Sequence, residues 1–193
     1  MLIPMHTTGT QLSDDALAQR RRLGHDRFDE VWDGVLHMVP PATAWHQLLG
    51  SELLIVLSPI VRPLGLRILY EAGLFDPIAG LANYRQPDVA VVDPRFLSER
   101  GIEGRAELVV EILSPNDESR AKLPFYARHQ TQEVWIIDPT PRTVEVFALR
   151  GDDYVAVSAD PHGVTRSPRF ELDLTTLPGP LLGISWPGGH AEI

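Results

Sequence analysis

Leu108-Val109-Val110-Glu111-Ile112-Leu113 sets a single carboxylate in the middle of an otherwise apolar run. The run is followed by Ser114-Pro115, and it reads as a strand. Side chains alternate along a strand, so Glu111 shares a face with Val109 and Leu113. Apolar residues on both faces mark a strand covered on both sides. An ionised carboxylate there is costly unless it is paired or holds a metal. The fold must therefore bring Glu111 a partner. Lys122 follows on the next predicted helix and is the only lysine among the 17 basic residues; the others are arginine. An ammonium is a compact charge with a movable pKa, whereas a guanidinium stays protonated and planar.

Outward from this strand the pattern is mixed. Residues 66–70 and 87–92 read as strands, and Asp88 opens the second. Residues 121–130 read as a helix in which Pro124 lies in the first turn or bends the axis, and Tyr126 shares a helix face with Lys122. Residues 133–137 and 143–149 are predicted strands joined by a turn at Asp138-Pro139-Thr140-Pro141, and 152–157 pairs with the second of them. Upstream, 28–39 reads as a hairpin around Asp33-Gly34. Residues 44–58 carry a helical stripe of Leu48, Leu49, Leu53, Val56 and Leu57 that stops near Pro59 and Pro63. A short helix is predicted over 13–23 with Ser13 as its N-cap. The Gly- and Pro-rich segment from 178 onward is predicted to be irregular. The expectation is one α+β domain over 1–193, with a helical extension over 1–24 and an irregular tail over 178–193.

Composition narrows the functions. The chain of 193 residues has 44% hydrophobic and 22% charged residues, which is ordinary for a globular domain. It has no cysteine, so there is no disulfide framework, thiolate metal site or Cys nucleophile. No stretch reads as 18 consecutive apolar residues, and residues 1–10 lack signal-peptide character, so no membrane partner and a cytoplasmic location are expected. The net charge of −9 gives no basic footprint of the kind usual in nucleic-acid binders. A site made of carboxylates contributes to that charge, and a bound divalent cation would offset it locally.

Asp88 and Glu111 on neighbouring strands make a hard oxygen site that suits Mg²⁺. A lysine beside such a site could orient a water or stabilise developing negative charge. Spacing alone leaves a second reading open, a buried Glu–Lys salt bridge beside an unrelated turn aspartate. His46 at the start of the long helix reads either as a proton carrier or as a structurally bonded histidine. Tyr126 reads as a core residue with its hydroxyl at the edge, and Trp135 as core.

Several stretches together resemble the Uma-two family of restriction endonucleases, a branch of the PD-(D/E)XK nuclease superfamily. They are Glu30-Val31-Trp32-Asp33-Gly34-Val35-Leu36, His46-Gln47, Gln86-Pro87-Asp88-Val89-Ala90-Val91-Val92, the opening run through Ser114-Pro115, Lys122-Leu123 with Tyr126, and Glu133-Val134-Trp135-Ile136-Ile137-Asp138-Pro139. The resemblance implies a restriction-endonuclease-like mixed β-sheet flanked by helices. It implies Mg²⁺ or Mn²⁺ held by Asp88, Glu111 and the main-chain carbonyl of Ile112. The superfamily's usual lysine lies two residues after the glutamate, where this chain has Leu113; in this family it looks relocated to the following helix, which matches Lys122. Asp88, Glu111 and Lys122 are then the expected catalytic residues, with Glu30, His46 and Tyr126 in support. The implied activity is phosphodiester hydrolysis of nucleic acid, with DNA as the expected partner and a homodimer as the expected assembly. Two rivals stand beside it: a catalytically silent binding or assembly module, and a glycoside hydrolase using the two carboxylates.

Overall fold

The computed structural model describes residues 15, 18–19, 22–24, 26–39, 41–115 and 118–193. The helix expected over 13–23 falls largely outside these, Ser13 included; Asp15, Ala18, Gln19 and Arg22 are helical. Strands β1 (Glu30–Trp32) and β2 (Val35–His37) form the expected hairpin. Asp33 and Gly34 both carry positive φ, 47° and 86°, as a two-residue turn between right-twisted strands requires. Helix α1 (Ala44–Val61) follows, and its Thr43 side chain caps the amide of His46.

Next come β3 (Arg67–Tyr70), β4 (Leu74–Asp76), β5 (Gly80–Arg85), β6 (Val89–Val92), β7 (Ile102–Glu103) and β8 (Leu108–Ile112). A 3-10 turn at Ser119–Lys122 leads into helix α2 (Leu123–Arg128), with Pro124 inside its first turn as expected. The rest is strand: β9 (Glu133–Ile137), β10 (Val144–Arg150), β11 (Asp153–Val157), β12 (Val164–Arg166), β13 (Asp173–Leu177), β14 (Leu181–Trp186) and β15 (Gly189–Glu192).

A six-stranded sheet in the order β11-β10-β9-β8-β6-β3 lies at the centre. Only β8 and β9 in it run parallel, which makes it a mixed sheet in an α+β fold. Every residue of β6, β8 and β9 is buried, so both faces of these strands are covered. Alternation divides their side chains between two cores. Val89, Val91, Leu108, Val110, Ile112, Trp135 and Ile137 pack against α1 and the sheet β12-β13-β14-β15. Ala90, Val92, Val109, Val134 and Ile136 pack against α2, Leu74 of β4 and Ile102 of β7. Glu111 has the parity of Val109 and so enters the second core.

Three expectations are corrected. The tail from 178 is not irregular: its glycines and prolines punctuate a β14–β15 hairpin whose Leu182, Ile184 and Ile193 are buried in the first core. Pro59 does not stop α1, which runs on to Val61. The carbonyl left without its amide partner is that of Ile55, an exposed residue, where water can satisfy it. Leu48 is 42% exposed and lies off the buried stripe of Leu49, Leu53, Val56 and Leu57.

By length and composition, 44–64 also reaches what a membrane span needs, with a mean hydropathy of 1.3, because averaging dilutes His46, Gln47 and Glu52 among apolar neighbours. The sheet covers one face of this helix. Burial differs sharply along it, so truncations should separate. Leu53→Ala should lose about 3 kcal/mol in urea unfolding, and Leu48→Ala less than about 1 kcal/mol. Equal losses would mean that α1 packs in a different rotation.

Candidate active site

The site forms where the C-terminal end of β8 meets the N-terminal end of β6. These strands are antiparallel with Val89 opposite Val110, and one further step of that register sets Asp88 across from Glu111. Asp88 lies just before β6. Its Oδ2 accepts the amide of Ile112 at 2.6 Å, and its Oδ1 lies 3.3 Å from Nε2 of His46. Helix α1 brings His46 there because its capped first turn abuts the strand ends. Burial lowers the His46 pKa, but Asp88 and the Ile112 carbonyl reverse this and leave it raised.

Glu111 is 2% exposed. Its Oε1 accepts the Tyr126 hydroxyl at 2.5 Å, and its Oε2 accepts the Lys122 ammonium at 2.9 Å. Lys122 and Tyr126 are four residues apart and reach down from one helix face onto the strand. The partner demanded by a buried carboxylate is thus supplied twice over. Tyr126 does not sit with its hydroxyl at an edge; it is fully buried, and that hydroxyl is part of the site. Burial pushes the Glu111 carboxyl up to about 8, against the pull of Lys122. Burial also pulls the Lys122 ammonium down, but Glu111 and Glu30 more than reverse it and hold it charged.

Glu30 reaches this cluster from the hairpin. Its Oε1 lies 2.9 Å from the Lys122 ammonium and accepts the Gln86 amide at 2.8 Å. Its Oε2 accepts the Trp32 indole N–H at 2.6 Å. Glu71 stands beside the site with a φ of 49°, a conformation non-glycine residues rarely adopt. Its amide bonds to the Asp88 carbonyl at 2.9 Å, and its carboxylate accepts Gln47 at 2.7 Å. Gln47 in turn accepts the Tyr70 hydroxyl.

All six side chains singled out in the sequence therefore converge: Asp88, Glu111, Lys122, Glu30, His46 and Tyr126. Trp32, Gln86 and Glu71 were missed as functional neighbours. For Trp32 a signal existed, since residues i and i+2 of a strand share a face, which puts its indole beside Glu30. Glu71 left no mark in the sequence.

The donor set suits a hard divalent cation in kind and charge. Asp88, Glu111 and Glu30 with Lys122 carry a formal charge of −2 when ionised, which one divalent cation would balance. Among the described residues no three His, Asp or Glu side chains are gathered into a ready-made cage. A cation here would rest on two carboxylates, the Ile112 main-chain carbonyl and waters, as Mg²⁺ commonly does.

A mixed sheet flanked by helices in an α+β chain is the architecture of restriction-endonuclease-like proteins. The Uma2 family model, described as "Putative restriction endonuclease", matches residues 17–178, and the chain belongs to that family. A solved structure described as "a putative nuclease belonging to DUF820", from Anabaena variabilis ATCC 29413, has the same fold, with a TM-score of 0.58 at 23% identity. The likeness covers 74% of this chain and 83% of that one. No curated protein matches the chain.

The state of Glu111 should be visible in stability. A carboxyl raised from 4.5 to about 8 holds its proton more tightly in the cation-free folded chain than in the unfolded one. Its contribution is complete below 4.5 and is lost as the pH climbs to about 8. In EDTA, Glu111→Gln should therefore gain on the wild type as pH rises from about 5 to about 8 in urea unfolding. A gain in the opposite direction would place the carboxylate in its charged form throughout.

Proposed function

We propose that the chain is a Mg²⁺-dependent nuclease of the PD-(D/E)XK type that hydrolyses phosphodiester bonds of DNA, with Mn²⁺ able to replace Mg²⁺. The observation that carries this reading is Glu111 paired with the sole lysine at the end of a buried strand, beside an Asp88 pinned by the next amide. Asp88, Glu111 and the Ile112 main-chain carbonyl would hold the cation. Such an ion lowers the pKa of a bound water and offsets charge on the phosphoryl group.

The chain's own residues do the positioning. The Ile112 amide and His46 fix the Asp88 carboxylate from two sides. Tyr126 fixes one oxygen of Glu111, so that this carboxylate keeps a single orientation. Lys122 has three donors, and Glu111 and Glu30 take two of them. The third is left to hold the attacking water or a phosphoryl oxygen, where a positive charge favours the transition state over the ground state. Displacement at phosphorus would be in line, with the leaving oxygen on the side opposite the water.

A net charge of −9 disfavours long-range attraction to DNA, so binding would rest on local contacts and on the cation. Cutting both strands of a duplex calls for two sites, which a homodimer would supply. A DNA substrate fits the cytoplasmic location expected from the sequence. A second reading, the catalytically silent binding module, has one observation on its side: each oxygen of Asp88 and Glu111 already faces a donor from the protein. The family assignment gives the glycoside hydrolase reading no support.

The test is cleavage of supercoiled, linear and single-stranded DNA in Mg²⁺ or Mn²⁺, with calorimetry of cation binding alongside. Glu111→Ala and Lys122→Ala should each lower the rate by at least about 100-fold, and EDTA should stop it. Cleavage that persists in both variants would put the chemistry elsewhere. Cation binding without cleavage of any substrate would favour the binding module.

A further inference from the structure

The hairpin β1–β2 lies outside the strands and helices that carry Asp88, Glu111 and Lys122, yet it delivers a buried carboxylate to them. Glu30 is 1% exposed, in a strand of only three residues. It would not tolerate that position without partners, and it has three: the Gln86 amide, the Trp32 indole and the Lys122 ammonium.

Trp32 is itself held on both faces. The Arg85 guanidinium lies 4.4 Å from its ring, and the His37 ring stacks on it at 3.9 Å with planes 15° apart. Arg85 also lies 4.3 Å from the ring of Phe125 on α2, the helix that carries Lys122 in its approach. The hairpin and α2 are thus braced against each other around one ammonium.

A lysine that follows the glutamate on the strand itself would be aimed by the backbone. Lys122 is instead at the junction of a 3-10 turn and α2, on a long flexible stem with several rotamers. Glu111 alone would fix one of its three donors and leave the stem free to swing about that contact. A second carboxylate at 2.9 Å fixes a second donor and so sets the direction of the third.

We propose that Glu30, held by Trp32 and the Gln86 amide, is the positioning residue that aims the Lys122 ammonium, so that the β1–β2 hairpin is part of the active machinery. This rests on the reading of Lys122 as the group that handles the attacking water, and the experiment below separates the two. Glu30 acts through Lys122 and touches no reacting atom.

Because the chain has one lysine, protein grown on lysine labelled with ¹⁵N at the side-chain nitrogen gives a single side-chain amine signal. In the wild type that signal should be sharp, shifted from that of a free lysine and slow to exchange with water. Glu30→Gln removes the charge and keeps a single acceptor oxygen, for the Gln86 amide or for the Trp32 indole, and should move the signal toward free lysine. Trp32→Phe should move it the same way by less, and Glu30→Asp should restore part of the wild-type signal in comparison with Glu30→Ala. In cleavage assays, Glu30→Gln should lower kcat by about 10-fold to 100-fold, while KM and cation affinity change by less than about 3-fold.

A Lys122 signal unchanged in both Glu30→Gln and Trp32→Phe would overturn the proposal, whatever the activity. A signal that moves in a protein whose wild type cleaves nothing would uphold the positioning and sink the nuclease reading instead. Loss confined to KM would also overturn the aiming role, since it would mark Glu30 as a binding residue.

Discussion

The ammonium of Lys122 between the carboxylates of Glu111 and Glu30 is the contact on which the rest of the site depends. A carboxylate in the middle of a strand covered on both faces has no water to solvate it. Leaving it unpaired would cost about 3–5 kcal/mol, a large share of the stability of a domain this size. Helix α2 therefore has to dock with Lys122 and Tyr126 toward the strand, and the hairpin has to dock with Glu30 toward the lysine. Local elements far apart in the chain are brought together by one electrostatic requirement.

That requirement also explains why the site looks prepared rather than assembled on demand. Every carboxylate oxygen of Asp88 and Glu111 faces a donor, and the donors come from four different elements: β8, α1, α2 and the turn before α2. Carboxylates so tethered would lose little freedom on binding a cation, as the proposed catalysis by preorganised charge requires. With every carboxylate ionised the cluster carries a formal charge of −2, which a divalent cation would balance.

Much of this was legible along the chain. The buried character of β8 followed from apolar residues on both sides of Glu111, and Lys122 and Tyr126 followed from their spacing of four on a helix. The hairpin turn at Asp33-Gly34 was legible because two positive φ angles need such residues. Less was legible where a residue's neighbours are remote. The tail read as irregular because Gly and Pro dominate its composition, although Leu182 and Ile184 alternate with small or polar residues as a half-buried strand should. Leu48 looked like core because a stripe on a helix fixes its own width but not the angle at which a sheet meets it. Glu71 lies in a turn whose only distinction is a backbone conformation, and that has no spelling in side chains.

The tripeptide Glu-Val-Trp occurs twice, at 30–32 and at 133–135, and marks where the two kinds of information divide. In both places the strand puts the first and third side chains on one face, and in both the indole donates to the carboxylate two residues earlier, at 2.6 Å and at 2.5 Å. That much is local geometry, and the sequence by itself determined it. Glu133 then meets the Arg169 amide and Ser167, which fasten the C-terminal sheet to the central one. Glu30 meets Lys122 and joins the candidate active site. Only the tertiary structure decided which carboxylate became a fastening and which joined the candidate site. The third partner comes from 36 residues away in one case and from the turn before α2 in the other, and no pattern within a strand can specify it.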